Sequence, residues 1–490
     1  MSRLENHTTG LPHPDPCVSY WQQPPDPIAD LGTAANLPSG ADILIVGSGV
    51  SGASVAYNLL TSKPKLKVVM LEARQAASGA SGRNGGHTKT ATYRSFLENV
   101  AAVGQEDAIR VSKLEYDCMT LVHAFAAEKG ILCDSKRCDT VDVFYDQGHL
   151  DEAKKSVALM KKLIGDSHPC SKHTFYSPEE TAKQFYAEKS LGCIKYEAGS
   201  LSAYKFTIGI LQLALELGLE LHTNTPASSM TKVTIDGTPS WTVETPRGSV
   251  TAPTLILATN GYTSHLLPQL REVIVPFRGV ITAQRPGKSM PHAGRLPCTY
   301  SFVYKEGYEY MITRPAIKGC QVSNGIHDES DHDIVIGGGL TKTADMGRSE
   351  FYTTDDTSNS IPCSISRYLH DCTADFFGKN WGEDHHERVR HLWSGIMGYS
   401  ADGHPLVGAY PDEDGLWLDV SFQGHGMVLA FLCAKAVTKM ILGKDNKELN
   451  EWFPQCFRVS TERLKKKFDG RIVGRELGEA ETVHGQSAVH

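Results

Sequence analysis

The stretch Asp42–Leu60, followed by Lys67–Glu72, constrains the fold more than any other part of the chain. An apolar run, Ile43-Leu-Ile-Val46, leads into Gly47-Ser-Gly-Val-Ser-Gly52, then a helical pattern, a second apolar run and an acid. This reads as strand, glycine turn, helix, strand, carboxylate. Gly47 permits the tight turn, Gly49 lets a pyrophosphate approach the backbone, and Gly52 lets the helix pack closely on the strand. Ser48, Val50 and Ser51 complete a turn that opens a helix, whose N-terminus faces phosphate charge. Glu72, 20 residues past Gly52, is placed to accept hydrogen bonds from the two ribose hydroxyls of an unphosphorylated adenosine and to repel a 2′-phosphate. The expected ligand is FAD or NAD.

At 490 residues the chain has material for about two or three domains. A net charge of −7 argues against a nucleic-acid partner, which demands a clustered basic surface. The basic run Arg463–Lys467 reads as a solvated helix face. No window of about 18 apolar residues could span a bilayer. Residues 1–30 are polar and proline-rich, unlike a secretory signal, and Gln486–His490 matches no peroxisomal address, so the expected location is the cytoplasm. Twelve cysteines without a CxxC pair are expected as reduced thiols. His385, His386 and His391 among Glu383, Asp384 and Glu387 lack ligand spacing, and no metal is expected there.

Residues 1–40 hold seven of the 24 prolines and read as an extended arm. The small-residue loop 73–87 suits close backbone approach to a flat or charged ligand. Helical spacing covers about 95–130, 150–164, 178–187 and 205–217. The run Leu255–Ala258 looks like a strand buried on both faces of a parallel sheet, beside the first strand. Alternating patterns at 279–284, 308–314 and 333–339 indicate a mostly antiparallel second sheet. Near the C-terminus, strand 415–422, Gln423-Gly-His-Gly-Met427 and an apolar helix over 428–442 echo the first motif; a helix beginning at Gly426 would aim its N–H groups at a ligand. The expected class is α/β: a discontinuous Rossmann-like dinucleotide-binding domain (41–95, 205–272, 385–450), an interleaved helical and antiparallel-sheet substrate domain (96–204, 273–384), and a tail over 451–490.

These pieces together resemble the FAD-dependent oxidoreductases of the D-amino-acid oxidase superfamily, in the branch of glycine, sarcosine and gamma-glutamylputrescine oxidases. The carrying residues are the Gly47–Gly52 turn with Glu72, Ser78–Gly86, Ala258-Thr-Asn-Gly261, Pro276-Phe-Arg-Gly279, Tyr310 with Arg314, Asp402–Gly408 and Gly424–Met427. The Ser-Gly-Arg-Asn-Gly-Gly form is closest to the gamma-glutamylputrescine oxidase branch. The resemblance implies FAD, with Ser78 and Ser81 near the pyrophosphate and Gly82, Arg83, Asn84, Gly85 and Gly86 along the flavin. Ala73 and Arg74 would follow Glu72 toward the adenosine, and Ala227 would pass the adenine. Ala258, Thr259 and Asn260, Gly395 and Met397, and Gly424, His425, Gly426 and Met427 would surround the cofactor. His87 falls near the position where some relatives attach FAD covalently; hydrogen bonding or packing is the alternative reading.

Family members that oxidise amino acids carry an Arg-Pro pair after the Trp-x-Gly element, which clamps the substrate carboxylate. Here Met397 and Gly398 stand in that place. The expected substrate is therefore an amine whose carboxylate is absent, remote or anchored elsewhere. Flavin chemistry needs orientation, an unprotonated amine and nearby positive charge more than a catalytic triad. Arg278 and Arg314 are candidates for that charge, against structural readings for each. Tyr310 and Tyr308 share one strand face and line either a pocket or a core, and His425 is a candidate near the flavin carbonyl. The expected reaction is amine oxidation with oxygen as acceptor, acting on a small molecule and needing no membrane. Alternatives are a dehydrogenase using another acceptor, a non-catalytic flavin-binding protein and an NAD-dependent dehydrogenase.

Overall fold

The first strand, Ile43–Val46, sits between Val68–Leu71 and Thr254–Leu257 and runs parallel to both, with Ile43 opposite Val68 and Thr254. The computed structural model describes residues 9–166, 168–291, 296–314 and 332–470. The whole sheet has six strands in the order Leu406–Ala409, Leu416–Val420, Thr254–Leu257, Ile43–Val46, Val68–Leu71 and Glu220–His222. Only its Leu406–Ala409 edge is antiparallel. Helix Val50–Ser62 packs with Ala203–Glu216 and Ala430–Ile441 on one face. The other face is closed by a three-stranded meander, Ser229–Ile235, Thr238–Thr245 and Gly248–Ala252, whose Trp241, Val243 and Val250 meet Leu44, Val46, Leu255 and Leu257. Both faces are thus buried, as the unbroken apolar runs require.

The second sheet has nine strands, eight of them in the order Val389–Ser400, Ile274–Gln284, Ile334–Gly337, Gly307–Thr313, Thr299–Tyr304, Lys136–Phe144, Cys193–Ser200 and His87–Lys89, with Thr174–Tyr176 paired beside Cys193–Ser200. All pairings are antiparallel except Thr299–Tyr304 on Lys136–Phe144. Helix Cys363–Phe377 covers one part of it, and Tyr93–Glu128 with Gln147–Ile164 another. The long helix Tyr93–Glu128 is interrupted at Gly104, whose φ is 82°.

Several strands depart from the sequence reading. Lys136–Phe144 and Cys193–Ser200 lie between the segments read as helices; the first is buried only from Thr140 onward, and the second alternates over Ile194–Ala198, with Lys195 and Glu197 less buried than their neighbours. Ser229–Ile235 is largely exposed, and Thr299–Tyr304 is buried throughout but for its last residue, so neither follows a period of two. Val389–Ser400 pairs along its length with Ile274–Gln284 in the large sheet, although 385–450 was placed with the nucleotide-binding segments. His87–Lys89 likewise crosses into the large sheet. The arm is described from Thr9 and the tail to Gly470; the C-terminal address lies outside the described residues.

Gly47 has φ 109°, and a methyl group on Gly52 would overlap its carbonyl oxygen. Helix and strand therefore meet at a distance only glycine allows. Gly52→Ala is expected to cost about 1–3 kcal/mol through forced separation of these elements; a drop in the chemical-denaturation midpoint checks it, and an unchanged midpoint would show that the turn yields freely.

Candidate active site

The carboxyl ends of the parallel strands open into one cleft that reaches across to the large sheet. Gly47 follows Val46, Glu72 follows Leu71, and Ala258 follows Leu257, and all three line it. This is the crevice in which open α/β sheets bind ligands. Gly49 caps helix Val50–Ser62 with no side chain over the first turn, while Ser81 Oγ accepts from Val50 N at 2.9 Å. Glu72 accepts from Ser48 N (2.9 Å), Ser48 Oγ (2.7 Å) and Arg74 N (3.0 Å). A carboxylate has about four acceptor positions, so capacity remains for a ribose hydroxyl.

Most of the expected cofactor residues line this cleft: Gly47, Gly49, Val50, Ser51, Glu72, Ala73, Arg74, Ser81, Arg83, Asn84, Gly85, His87, Ala227, Ala258, Thr259, Asn260, Gly395, Met397, Gly424, His425, Gly426 and Met427. Ser48, Gly52, Ser78, Gly82 and Gly86 stand behind the wall and shape it. A Cβ on Gly82 would overlap the carbonyl oxygen of Ala77, and the Ser78 carbonyl oxygen accepts from Arg83 Nε at 2.8 Å. Gly79, not singled out from the sequence, lines the cleft with no atom near its Cβ position. An open glycine-rich wall with free backbone is a surface a dinucleotide can approach.

The loop 78–87 is anchored by a buried ionic hub. Asp356, fully buried, takes both oxygens to Arg74 Nη1 at 3.0 Å and lies 3.6 Å from Arg83 Nε. Arg83 also donates to Ser394 O at 3.0 Å, and Trp393 Nε1 donates to Arg83 O at 2.7 Å. The N-terminal arm closes the hub: Cys17 N donates to Asp356 O, Ser19 Oγ to Gly82 O and Trp21 Nε1 to Asn84 O. Arg74 and Arg83 therefore shape the cleft with guanidinium groups already committed to protein. Asp356 lay in a polar segment with no local signal of its role.

Two further expectations are corrected. Arg314 lies away from the cleft: buried, it pairs with Asp134 at 3.0 Å and stacks over Trp21 at 4.5 Å. Arg278 lines the cleft, but Glu350 holds it through Nε (2.7 Å) and Nη2 (3.1 Å), so its charge is spent. The C-terminal helix also begins later than expected. Gly426–Val428 forms a separate 3₁₀ turn, and the α-helix starts at Ala430 because Leu429 (φ −131°) leaves helical geometry.

Cationic side chains on the cleft wall come instead from Lys89 and Arg94, which the sequence reading missed. Both meet Asp142, fully buried on Lys136–Phe144. Burial pulls the Lys89 ammonium down to about 7 against the pull of Asp142. Burial, with Lys89 adding to it, keeps His87 neutral, and its Nε2 lies 2.7 Å from Thr299 Oγ1. Tyr308 and Tyr310 both line the cleft, and the Tyr310 ring packs against Gly85 and Gly337: a Cβ on Gly337 would come within 2.5 Å of it. Behind His425, Glu115 is buried with Oε2 lacking a hydrogen bond, 4.0 Å from His425 Nδ1.

At the crossing of the two sheets, Asn260 Oδ1 accepts from Ser421 N (3.1 Å) and Phe422 N (3.3 Å). A Cβ on Gly398 would lie 2.7 Å from that same oxygen. A proline could not occupy 398 without displacing Asn260. Met397 lays its methyl over Gly279 and its sulfur beside Gly424. The space between Gly279 and Gly424 is thus filled by thioether.

A glycine turn, an acid after the second strand and a cleft shared with an antiparallel sheet define a dinucleotide-dependent oxidoreductase. A family model described as FAD dependent oxidoreductase (DAO) matches residues 42–440, and the chain belongs to this family, with FAD as its cofactor. A probable oxidoreductase, OrdL, of Rhizobium meliloti is 24% identical over 82% of this chain and 83% of its own length. Among solved structures, glycine oxidase from Geobacillus kaustophilus aligns with a TM-score of 0.66 at 16% identity, covering 86% of this chain and 99% of that one. L-amino acid deaminase from Proteus vulgaris aligns with a TM-score of 0.64 at 17% identity over 89% and 98%. Among the described residues, no helix is long and apolar enough to cross a membrane.

Asp356→Ala leaves two buried guanidinium groups without their carboxylate and is expected to cost about 3–5 kcal/mol in denaturant unfolding. Glu115 gives a pH signature. Burial pushes its carboxyl up to about 8, so the folded chain keeps a proton that the unfolded chain releases above its ordinary value near 4.5. That contribution is present at low pH and is lost as pH rises from 4.5 to 8. Glu115→Gln should match the parent in Tm near pH 4.5 and exceed it increasingly toward pH 8; parallel Tm profiles would refute the assignment.

Proposed function

We propose that the protein is an amine oxidase that takes a hydride from the CH–NH or CH–NH2 carbon of a small amine and passes the electrons to molecular oxygen, giving an imine or aldehyde and hydrogen peroxide. FAD, when bound, supplies the hydride acceptor at N5. The chain's own residues bind, orient and shield. The observation that carries the substrate reading is Met397-Gly398 packed against Gly279, Gly424 and Asn260, which leaves no guanidinium where amino-acid oxidisers clamp an α-carboxylate.

Tyr308 and Tyr310 supply an aromatic wall for the alkyl part of an amine. His87, half-buried and held neutral by desolvation, offers a hydrogen-bonding group without adding charge that would repel an ammonium. Relatives in fold are named for glycine and for L-amino acids, both amino compounds, which supports the CH–NH2 class while the filled clamp argues for a different carboxylate position. His425, on the Gly-His-Gly turn that lines the cleft, is our candidate for the side chain that meets the flavin edge.

The test is an anaerobic visible-absorbance titration of the purified yellow protein with alkylamines, polyamines and α-amino acids, followed by a peroxide assay in air. Amines are expected to bleach the flavin band and α-amino acids to do so at least about tenfold more slowly, the loss of one charge-assisted carboxylate contact. Bleaching by α-amino acids at equal rates would overturn the substrate reading, and turnover without peroxide would overturn oxygen as acceptor.

A further inference from the structure

Three strands and a helix bring an ionic cluster to the cleft wall that the reaction as described does not use. Lys89 ends the short strand His87–Lys89, Asp142 comes from Lys136–Phe144, Ser301 from Thr299–Tyr304, and Arg94 from the first turn of Tyr93–Glu128. Lys89 Nζ donates to Asp142 Oδ1 and to Ser301 Oγ at 2.6 Å. Arg94 Nε donates to Asp142 Oδ2 at 3.0 Å, and the hydroxyls of Tyr93 and Tyr196 donate to the same oxygen. Four side chains thus share one carboxylate whose acceptor positions are taken up.

The charges do not balance. While Lys89 carries its proton, two cationic side chains face one buried anion, and burying net charge is costly unless a counter-charge arrives. Arg94 Nη2 lies 2.6 Å from Asp142 Oδ2 yet makes no aligned hydrogen bond, and it is buried. Tyr308 lies beneath the guanidinium at 4.3 Å and fixes its plane. Lys89, Arg94, Ser301 and Tyr308 all line the same cleft as the glycine-rich wall. Two cationic side chains and a hydroxyl therefore stand together on one wall of the cleft, and a carboxylate is a small anion that an ammonium and a guanidinium can hold between them.

We propose that Lys89, Arg94 and Ser301 form the binding subsite for a carboxylate that the amine substrate carries remote from its reacting carbon. The proposal rests on the amine-oxidase reading and narrows it: the substrate is an amino acid in the broad sense, its acid group anchored on the large sheet and not at positions 397–398. Asp142 is a positioning residue that holds both cations in place and limits the excess charge while the subsite is empty.

The test uses the purified flavin-bearing protein. Straight-chain monocarboxylates from propanoate to hexanoate, which cannot be oxidised as amines, and the corresponding primary alcohols are titrated by calorimetry, with flavin absorbance followed in parallel. At least one carboxylate is expected to bind about tenfold to a hundredfold more tightly than its alcohol. Lys89→Met and Arg94→Lys should each erase about tenfold or more of that margin and leave the alcohol unchanged. Asp142→Asn should move affinity the opposite way, tightening carboxylate binding, a direction that a purely structural ion cluster would not produce. Carboxylates that bind no better than alcohols, or margins untouched in all three variants, would overturn the subsite. The two readings fail separately: carboxylate binding without bleaching by any ω-amino acid leaves the subsite standing and removes the amine oxidase, whereas equal bleaching by 5-aminopentanoate and pentylamine, unchanged in Lys89→Met, removes the subsite alone.

Discussion

The place where the two sheets cross governs this molecule. The turn after Thr254–Leu257 carries Asn260 and Gly261 into the flank of Val389–Ser400, where a Cβ on Gly261 would overlap the carbonyl oxygen of Met397. Asn260, at φ 46°, also accepts two backbone N–H groups from the segment after Leu416–Val420. Backbone this close admits no side chain at 261 or 398, so the crossing fixes the distance between the sheets. The cleft that both sheets line inherits its width from this contact. The position of Met397 follows from it as well, because the residue beside it must be able to pass Asn260.

Around that crossing, polar order is supplied by buried carboxylates, each shared among several donors. Asp356 ties Arg74 and Arg83 to the arm, Glu350 holds Arg278, Asp142 gathers Lys89 and Arg94, and Asp402 takes Arg463 at 2.7 Å. Buried ion pairs are weak evidence of net stability, but breaking one is expensive because it strands a charge. Their effect here is positional. They fix the guanidinium groups that line the cleft in single positions. The cleft is therefore electrostatically uneven: Arg74, Arg83 and Arg278 contribute shape, while Lys89 and Arg94 contribute charge. The arm belongs to the same system, since its Cys17, Ser19 and Trp21 hydrogen-bond the segments that carry the glycine-rich loop.

Much of the nucleotide half was legible along the chain. The runs Ile43–Val46 and Leu255–Ala258 announce buried parallel neighbours because only a strand covered on both faces is apolar at every position. Gly47, Gly49, Gly52 and Glu72 sit at spacings set by local geometry, and local geometry is readable in order of sequence. The substrate half was less legible. Lys136–Phe144 is a strand by virtue of its neighbours, its exposed and charged start concealing the pattern, while Cys193–Ser200 carries a short alternation over Ile194–Ala198 that the surrounding helical segments overshadowed. Tyr308 and Tyr310 were placed together by their period, but whether their face met a cavity or a core depended on partners elsewhere in the chain.

By itself, the sequence determined the dinucleotide turn, the family, the cofactor and the absence of an arginine at 397, because each rests on residue identity at short spacing. The tertiary structure decided which arginines are free to act. Arg278 and Arg314 look as available in the sequence as Arg94, and only the positions of Glu350 and Asp134, 72 and 180 residues away, show that they are spoken for. Charge is a property of a residue, but its availability depends on what else is buried within a few ångströms, and folding brings those partners from anywhere in the chain.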